Sequence, residues 1–177
     1  MRAFSTELRG LNYSTYWGFD SFTGLPSEHV SVRRTQTSRD LWQPGAFNAS
    51  RSYTPREIEE YIGEPRARIV RGYFEETLTD ALAKRMRMQP ALLVEMDSDL
   101  YVSTKLALEF LLRNGLVMRG TVIGYDDWGV GGDTGEQRAH RETRDRWKLR
   151  FRRVTGEEGR TKARLERRNK YHVFEVV

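Results

Sequence analysis

Two short apolar runs organise the second half of the chain. Residues 92–96 (LLVEM) and 121–125 (TVIGY) are almost unbroken in hydrophobicity, the pattern of strands buried on both faces of a parallel sheet. Between them Leu106, Ala107, Phe110 and Leu111 recur at helical spacing until Asn114 and Gly115 end the stretch. The same alternation continues on either side. Residues 15–19 and 68–71 read as strands, and Thr54, Pro55 and Glu57 mark a helix start: a cap, a first-turn proline and a carboxylate three residues after the cap, with Gly63 as the stop. Phe4, Leu8 and Leu11 place a helix near the N-terminus, and Leu78, Leu82 and Met86 line one face of another after GYFEETL. A further helix is predicted over 135–146. Residues 148–154 and 171–177 read as two strands around a charged excursion, paired antiparallel at a sheet edge. Residues 26–53 are polar and aperiodic, which suits a long loop.

Strands that alternate with helices predict an α/β fold, because each parallel crossover needs a helix to return the chain. The expected architecture is a doubly wound, mostly parallel sheet with an antiparallel C-terminal edge hairpin. A length of 177 residues with 38% hydrophobic positions suits one domain with a sizeable core. No stretch approaches eighteen consecutive apolar residues and MRAFSTELRG has no apolar leader segment, so a membrane partner is excluded and the cytoplasm is the expected location. The absence of Cys fits a reducing compartment and excludes thiolate catalysis, disulfides and Cys-based zinc sites. With three scattered His, any metal is expected to be held by oxygen. The net charge of +5 is uneven: residues 138–170 hold 14 Lys and Arg against 5 acids, leaving the remainder net acidic. Such a tract reads either as a solvated face or as a contact for phosphates.

Three carboxylates stand where the apolar pattern stops. Asp97, Asp126 and Asp127 directly follow the two central runs, and in open parallel α/β sheets ligands sit outside the carboxyl ends of the strands. Carboxylates a few ångströms apart repel by about 4 kcal/mol per pair at an effective dielectric near 20, which a hard divalent cation such as Mg²⁺ offsets. Helix capping by Asp97 or Asp99 and a plain turn at YDDWG are the structural alternatives, and spacing alone leaves both open.

The strings GFDSFTGLP, VRGYFEETL, VEMDSDLYVSTKLALEFL and VIGYDDWG, in that order, resemble the macrocin O-methyltransferase family over residues 8–135. The resemblance implies a Rossmann-like class I methyltransferase that uses S-adenosylmethionine and Mg²⁺ to methylate a hydroxyl of a sugar or small molecule. It implies that Asp20 with Ser21 binds the cofactor ribose and that Gly72, Tyr73 and Phe74 form the adenine-side turn. Asp97, Asp126 and Asp127 match the metal ligands, and Asp97 is the base available in the matched motifs. The family's first strand and glycine-rich loop have no counterpart, and Met1 falls inside the helix that follows that loop. An N-terminally truncated domain is therefore expected, with ladder edges exposed and one wall of the donor pocket missing. A second copy of the chain is a candidate partner that completes the sheet. Two other functions compete: a metal-dependent glycosyltransferase using DSD at 97–99, and a nucleic-acid binding protein using the basic tract, which lacks interleaved aromatics for base stacking.

Overall fold

The helix predicted from its capping signature forms as read. In the computed structural model, which describes residues 15–26, 44–49, 54–62, 66–129, 135–154 and 172–177, helix α1 spans Pro55–Ile62. Its capping box is closed in both directions: the Thr54 N–H donates to Glu57 Oε2 at 2.7 Å and the Glu57 N–H to Thr54 Oγ1 at 3.3 Å. The chain divides into two units, residues 1–77 and 78–177.

In the first unit α1 is the crossover between two parallel strands, β1 (Tyr16–Asp20) and β2 (Ala67–Arg71), paired from Tyr16↔Ala67 to Asp20↔Arg71. Glu59 of α1 accepts the Ile69 N–H at 2.8 Å and so occupies a ladder position on β2. A Cβ at Gly18 would stand 2.6 Å from Ile69 Cδ1, so a larger residue there would make the end of that side chain shift. The short helix α2 (Phe74–Thr77) follows β2.

In the second unit α3 (Asp80–Arg85) is capped by Thr79, whose Oγ1 accepts the Leu82 N–H at 3.1 Å. This corrects the reading of one continuous helix: the chain breaks at Leu78 and Thr79, and Met86, as the C-cap of α3, is 39% exposed. Strand β3 (Leu93–Met96) pairs in parallel with β4 (Val122–Tyr125), and helix α4 (Tyr101–Arg113) is the crossover. Helix α5 (Glu136–Trp147) leads to β5 (Phe151–Arg153), which pairs antiparallel with β6 (His172–Val176). The order among the described residues is β3-β4-β6-β5, so of the C-terminal hairpin β6 lies inside the sheet against β4 and β5 alone is at the edge. The sheets are mixed: β1-β2 and β3-β4 are parallel, β4-β6 and β6-β5 antiparallel.

Of the two runs expected to be buried on both faces, β4 is: Ile123, Gly124 and Tyr125 are buried. The other is not, since Leu92 is 56% and Leu93 39% exposed. Position explains the difference, because β3 is an outer strand of the second unit's sheet among the described residues. The core of this unit gathers Leu108, Phe110, Ile123, Tyr125, Ala139 and Val176. The helix expected at 3–11, most of the 26–53 loop, Gly63 and the charged excursion 155–171 lie outside the described residues.

Candidate functional site

The acidic group is built where β3 and β4 end. The Asp126 N–H donates to the Met96 carbonyl at 3.0 Å, extending the parallel pairing by one bond past the strand end. On the β3 side, Asp99 takes the left-handed backbone conformation (φ 59°), and the Leu100 N–H bonds back to the Ser98 carbonyl. Asp tolerates this region better than most residues, and the tight turn it makes reverses the chain into α4. Ser98 Oγ is hydrogen-bonded to Thr104 Oγ1 at 2.9 Å, and Thr104 Oγ1 donates to the Leu100 carbonyl at 2.9 Å, which fastens the turn to the first coil of α4.

Asp97, Asp99 and Asp127 each present a carboxylate oxygen within 4.8 Å of the others. Asp97 is exposed, Asp99 half-buried and Asp127 buried. Two of the three residues expected as metal ligands, Asp97 and Asp127, thus come together, Asp99 joins them, and Asp126 is exposed outside the group. Helix α5 adds a further acid. Glu136 is fully buried, and its Oε2 accepts the Asp127 N–H at 2.9 Å. Its Oε1 is buried without a hydrogen-bond partner among the described residues.

Packing carboxylates this closely moves their titration. Burial, then a hydrogen bond that the protonated Asp99 carboxyl donates to Asp127 and the like charge of Asp127, with Asp97 and Glu136 adding, push the Asp99 carboxyl well above the usual carboxylate range. Burial chiefly pushes Glu136 up to about 8, with Asp127 and Asp97 adding and the Asp127 and Ser98 amides pulling the other way. The donor set is all carboxylate oxygen, it carries excess negative charge, and it leaves one buried oxygen unsatisfied beside it. That chemistry fits a hard divalent cation.

The residues matched to the donor side lie in the first unit. Asp20 is exposed at the end of β1, with Oδ1 accepting the Phe22 N–H at 2.6 Å. Ser21 Oγ donates to the Gly24 carbonyl at 2.8 Å and accepts the Thr23 N–H at 3.2 Å. The Gly72 N–H donates to the Asp20 carbonyl at 2.9 Å, so the ends of β1 and β2 are tied together. Gly72 has φ 140° and a Cβ there would stand 2.7 Å from Thr77 Cγ2, which explains the glycine. Tyr73 accepts a hydrogen bond from Thr23 Oγ1 at 3.0 Å, and the half-buried Phe74 opens α2.

Glu136 is the site residue that sequence reasoning did not assign, and Asp99 was read as metal-holding only within DSD in the competing glycosyltransferase reading. Otherwise Asp99 read as a helix cap, and an acid near the start of a helix is ordinary. The only available signal for Glu136 was an acid opening a helix just after the second acidic strand end.

The described residues contain no helix long and apolar enough to cross a membrane. No curated protein matches the chain. The fold is similar to that of the O-methyltransferase NovP, at 20% identity and TM-score 0.65, over 97% of this chain and 64% of that one. It is also similar to CalS11, a calicheamicin methyltransferase, at 22% identity and TM-score 0.68, over 97% and 65%. An apo structure of CalS11, a TDP-rhamnose 3'-O-methyltransferase, matches at 21% identity and TM-score 0.52 over 97% and 64%. The chain thus spans just under two thirds of the length of these structures. A family model described as Macrocin-O-methyltransferase (TylF) matches residues 1–150, and the chain belongs to that family.

Proposed function

We propose that this chain is the whole or a part of an S-adenosylmethionine-dependent O-methyltransferase acting on a hydroxyl of a sugar or other small molecule with the assistance of Mg²⁺. The observation that carries this reading is the convergence of Asp97, Asp99 and Asp127 at the ends of two parallel strands, in a chain of this family. A sugar as acceptor is supported by the similarity to CalS11, a TDP-rhamnose 3'-O-methyltransferase. A Rossmann-like, doubly wound single domain and a cytoplasmic location go with the reading.

Each residue has a defined part. Asp20 and Ser21 hold the donor's ribose hydroxyls, and Gly72, Tyr73 and Phe74 form the turn beside its adenine. S-adenosylmethionine supplies a methyl group already activated on a sulfonium centre. Asp97, Asp99 and Asp127 would hold the cation, which would supply the charge that makes a nearby hydroxyl more acidic and orients it. Asp97, the exposed member of the group, stands open to an incoming hydroxyl and takes its proton, while Asp127 is shielded from solvent. Asp126 is the ligand implied by the family resemblance that this arrangement leaves out.

Calorimetric titration of the full chain with S-adenosylmethionine, and separately with a nucleotide sugar, tests the reading. S-adenosylmethionine binds and Asp20→Asn weakens it; binding of the nucleotide sugar alone overturns methyl transfer in favour of glycosyl transfer. Comparing Asp99→Asn with Asp126→Asn in Mg²⁺ binding decides which aspartate completes the ligand set.

A further inference from the structure

The acid on α5 is not needed to hold a donor or take a proton, yet it lies at the centre of the local hydrogen bonding. Glu136 reaches from the first turn of the helix to the Asp127 N–H, 2.9 Å away, at the end of β4. The Ser98 amide, in the turn that follows β3, also acts on the same carboxylate. One side chain is therefore hydrogen-bonded to the loop after β4 and lies within the influence of the Ser98 amide in the loop after β3. An acid placed only to favour a helix N-terminus works from the surface and needs no burial. Glu136 is instead 0% exposed, with Oε1 unsatisfied, an arrangement that costs stability unless something else uses the charge.

We propose that Glu136 is the positioning residue of the cation site: its carboxyl group clamps the loops after β3 and β4 in register and so sets the spacing of Asp97, Asp99 and Asp127. The inference rests on reading that group as a cation site. Glu136 stands outside the three oxygens that lie within 4.8 Å of one another, so it acts through Asp127 and Ser98 and not as a ligand. Carboxylates that bind a cation are themselves held by surrounding hydrogen bonds, and those partners govern affinity.

The test is a titration of the full chain with Mn²⁺, free ion being read by electron paramagnetic resonance, for wild type, Asp97→Asn, Glu136→Gln and Glu136→Asp. Thermal unfolding of each protein is recorded without added metal. Glu136→Gln keeps the shape and an acceptor but loses the charge; Glu136→Asp keeps the charge but withdraws it by one methylene. The expected result is one strong site in wild type and its loss in Asp97→Asn. In whichever Glu136 variant folds, affinity falls about 10- to 100-fold. Wild-type affinity in a folded Glu136 variant, including one with a lowered melting midpoint, assigns the residue to the core alone and overturns the proposal. Absence of binding in the wild type, or binding that survives Asp97→Asn, overturns the cation site together with it.

Discussion

The Tyr125 hydroxyl and His140 Nδ1 are hydrogen-bonded at 2.9 Å in the interior of the second unit. Both side chains are buried, and the rings of Trp128, Phe151 and Phe174 pack around His140 at centroid distances of 5.1, 4.4 and 4.7 Å. Burial raises the Tyr125 hydroxyl far above its ordinary value. Burial, and then the Arg144 charge, lower His140 from 6.5 to about 4, with Asp145 opposing.

A histidine depressed in this way stabilises the fold above its unfolded value, and that contribution is lost as pH falls from about 6.5 towards 4. His140→Gln removes the titration while keeping a hydrogen-bonding partner for Tyr125. The difference in unfolding free energy between wild type and this variant should change by about 2–3 kcal/mol between pH 7.5 and 4.5 in disfavour of wild type. Urea unfolding at the two pH values measures it, and a difference independent of pH would refute the argument. The raised acids of the cluster act in the opposite sense in both proteins and cancel in the comparison.

Removing charge from the acidic group should stabilise the metal-free protein. Asp99→Asn relieves repulsion with Asp127 and Asp97, and its thermal midpoint at pH 8 without divalent ions should rise by about 2–4 °C. Added Mg²⁺ then raises the midpoint of wild type and leaves the variant unmoved. Differential scanning calorimetry with and without the ion reads both effects, and a fall in the variant's midpoint contradicts the repulsion.

How far the sequence revealed these features depended on whether the signal was local. The α1 start was legible because Thr54, Pro55 and Glu57 carry their own hydrogen-bonding chemistry, and β4 because its apolar run is buried. The failures came from context. Nothing within residues 92–96 says that β3 is an outer strand, and helical spacing across Leu78, Leu82 and Met86 concealed the competing cap at Thr79. Asp97 and Asp127 were legible as acids at strand ends. Asp99 was read with a metal only within DSD in the glycosyltransferase alternative, because its place beside Asp127 depends on a left-handed turn, and Glu136 was hidden because its role depends on a contact nine residues away in sequence.

Gly72→Ala should be costly for a reason confined to its own turn. Its φ of 140° strains any L-residue, and the new methyl would meet Thr77. A loss of about 1–3 kcal/mol is expected, with weakened S-adenosylmethionine binding and unaltered Mn²⁺ binding. Unfolding and the two titrations test this; full stability in the variant would show that the turn relaxes.

Tyr101 joins the two long helices, donating from its hydroxyl to Glu142 Oε2 at 2.6 Å while the Arg138 guanidinium lies over its ring at 4.6 Å. Tyr101→Phe should cost about 1–2 kcal/mol. A double-mutant cycle with Glu142→Gln should return most of that as coupling energy, and additive effects would assign the loss to packing instead.

Among the described residues β2 is an outer strand, and the side chain of Glu59, presented by a helix to its rim, makes that rim a poor template for foreign chains. An intruding strand would have to evict the carboxyl group already seated at Ile69, so self-recruitment into fibrils is discouraged there by a single side chain.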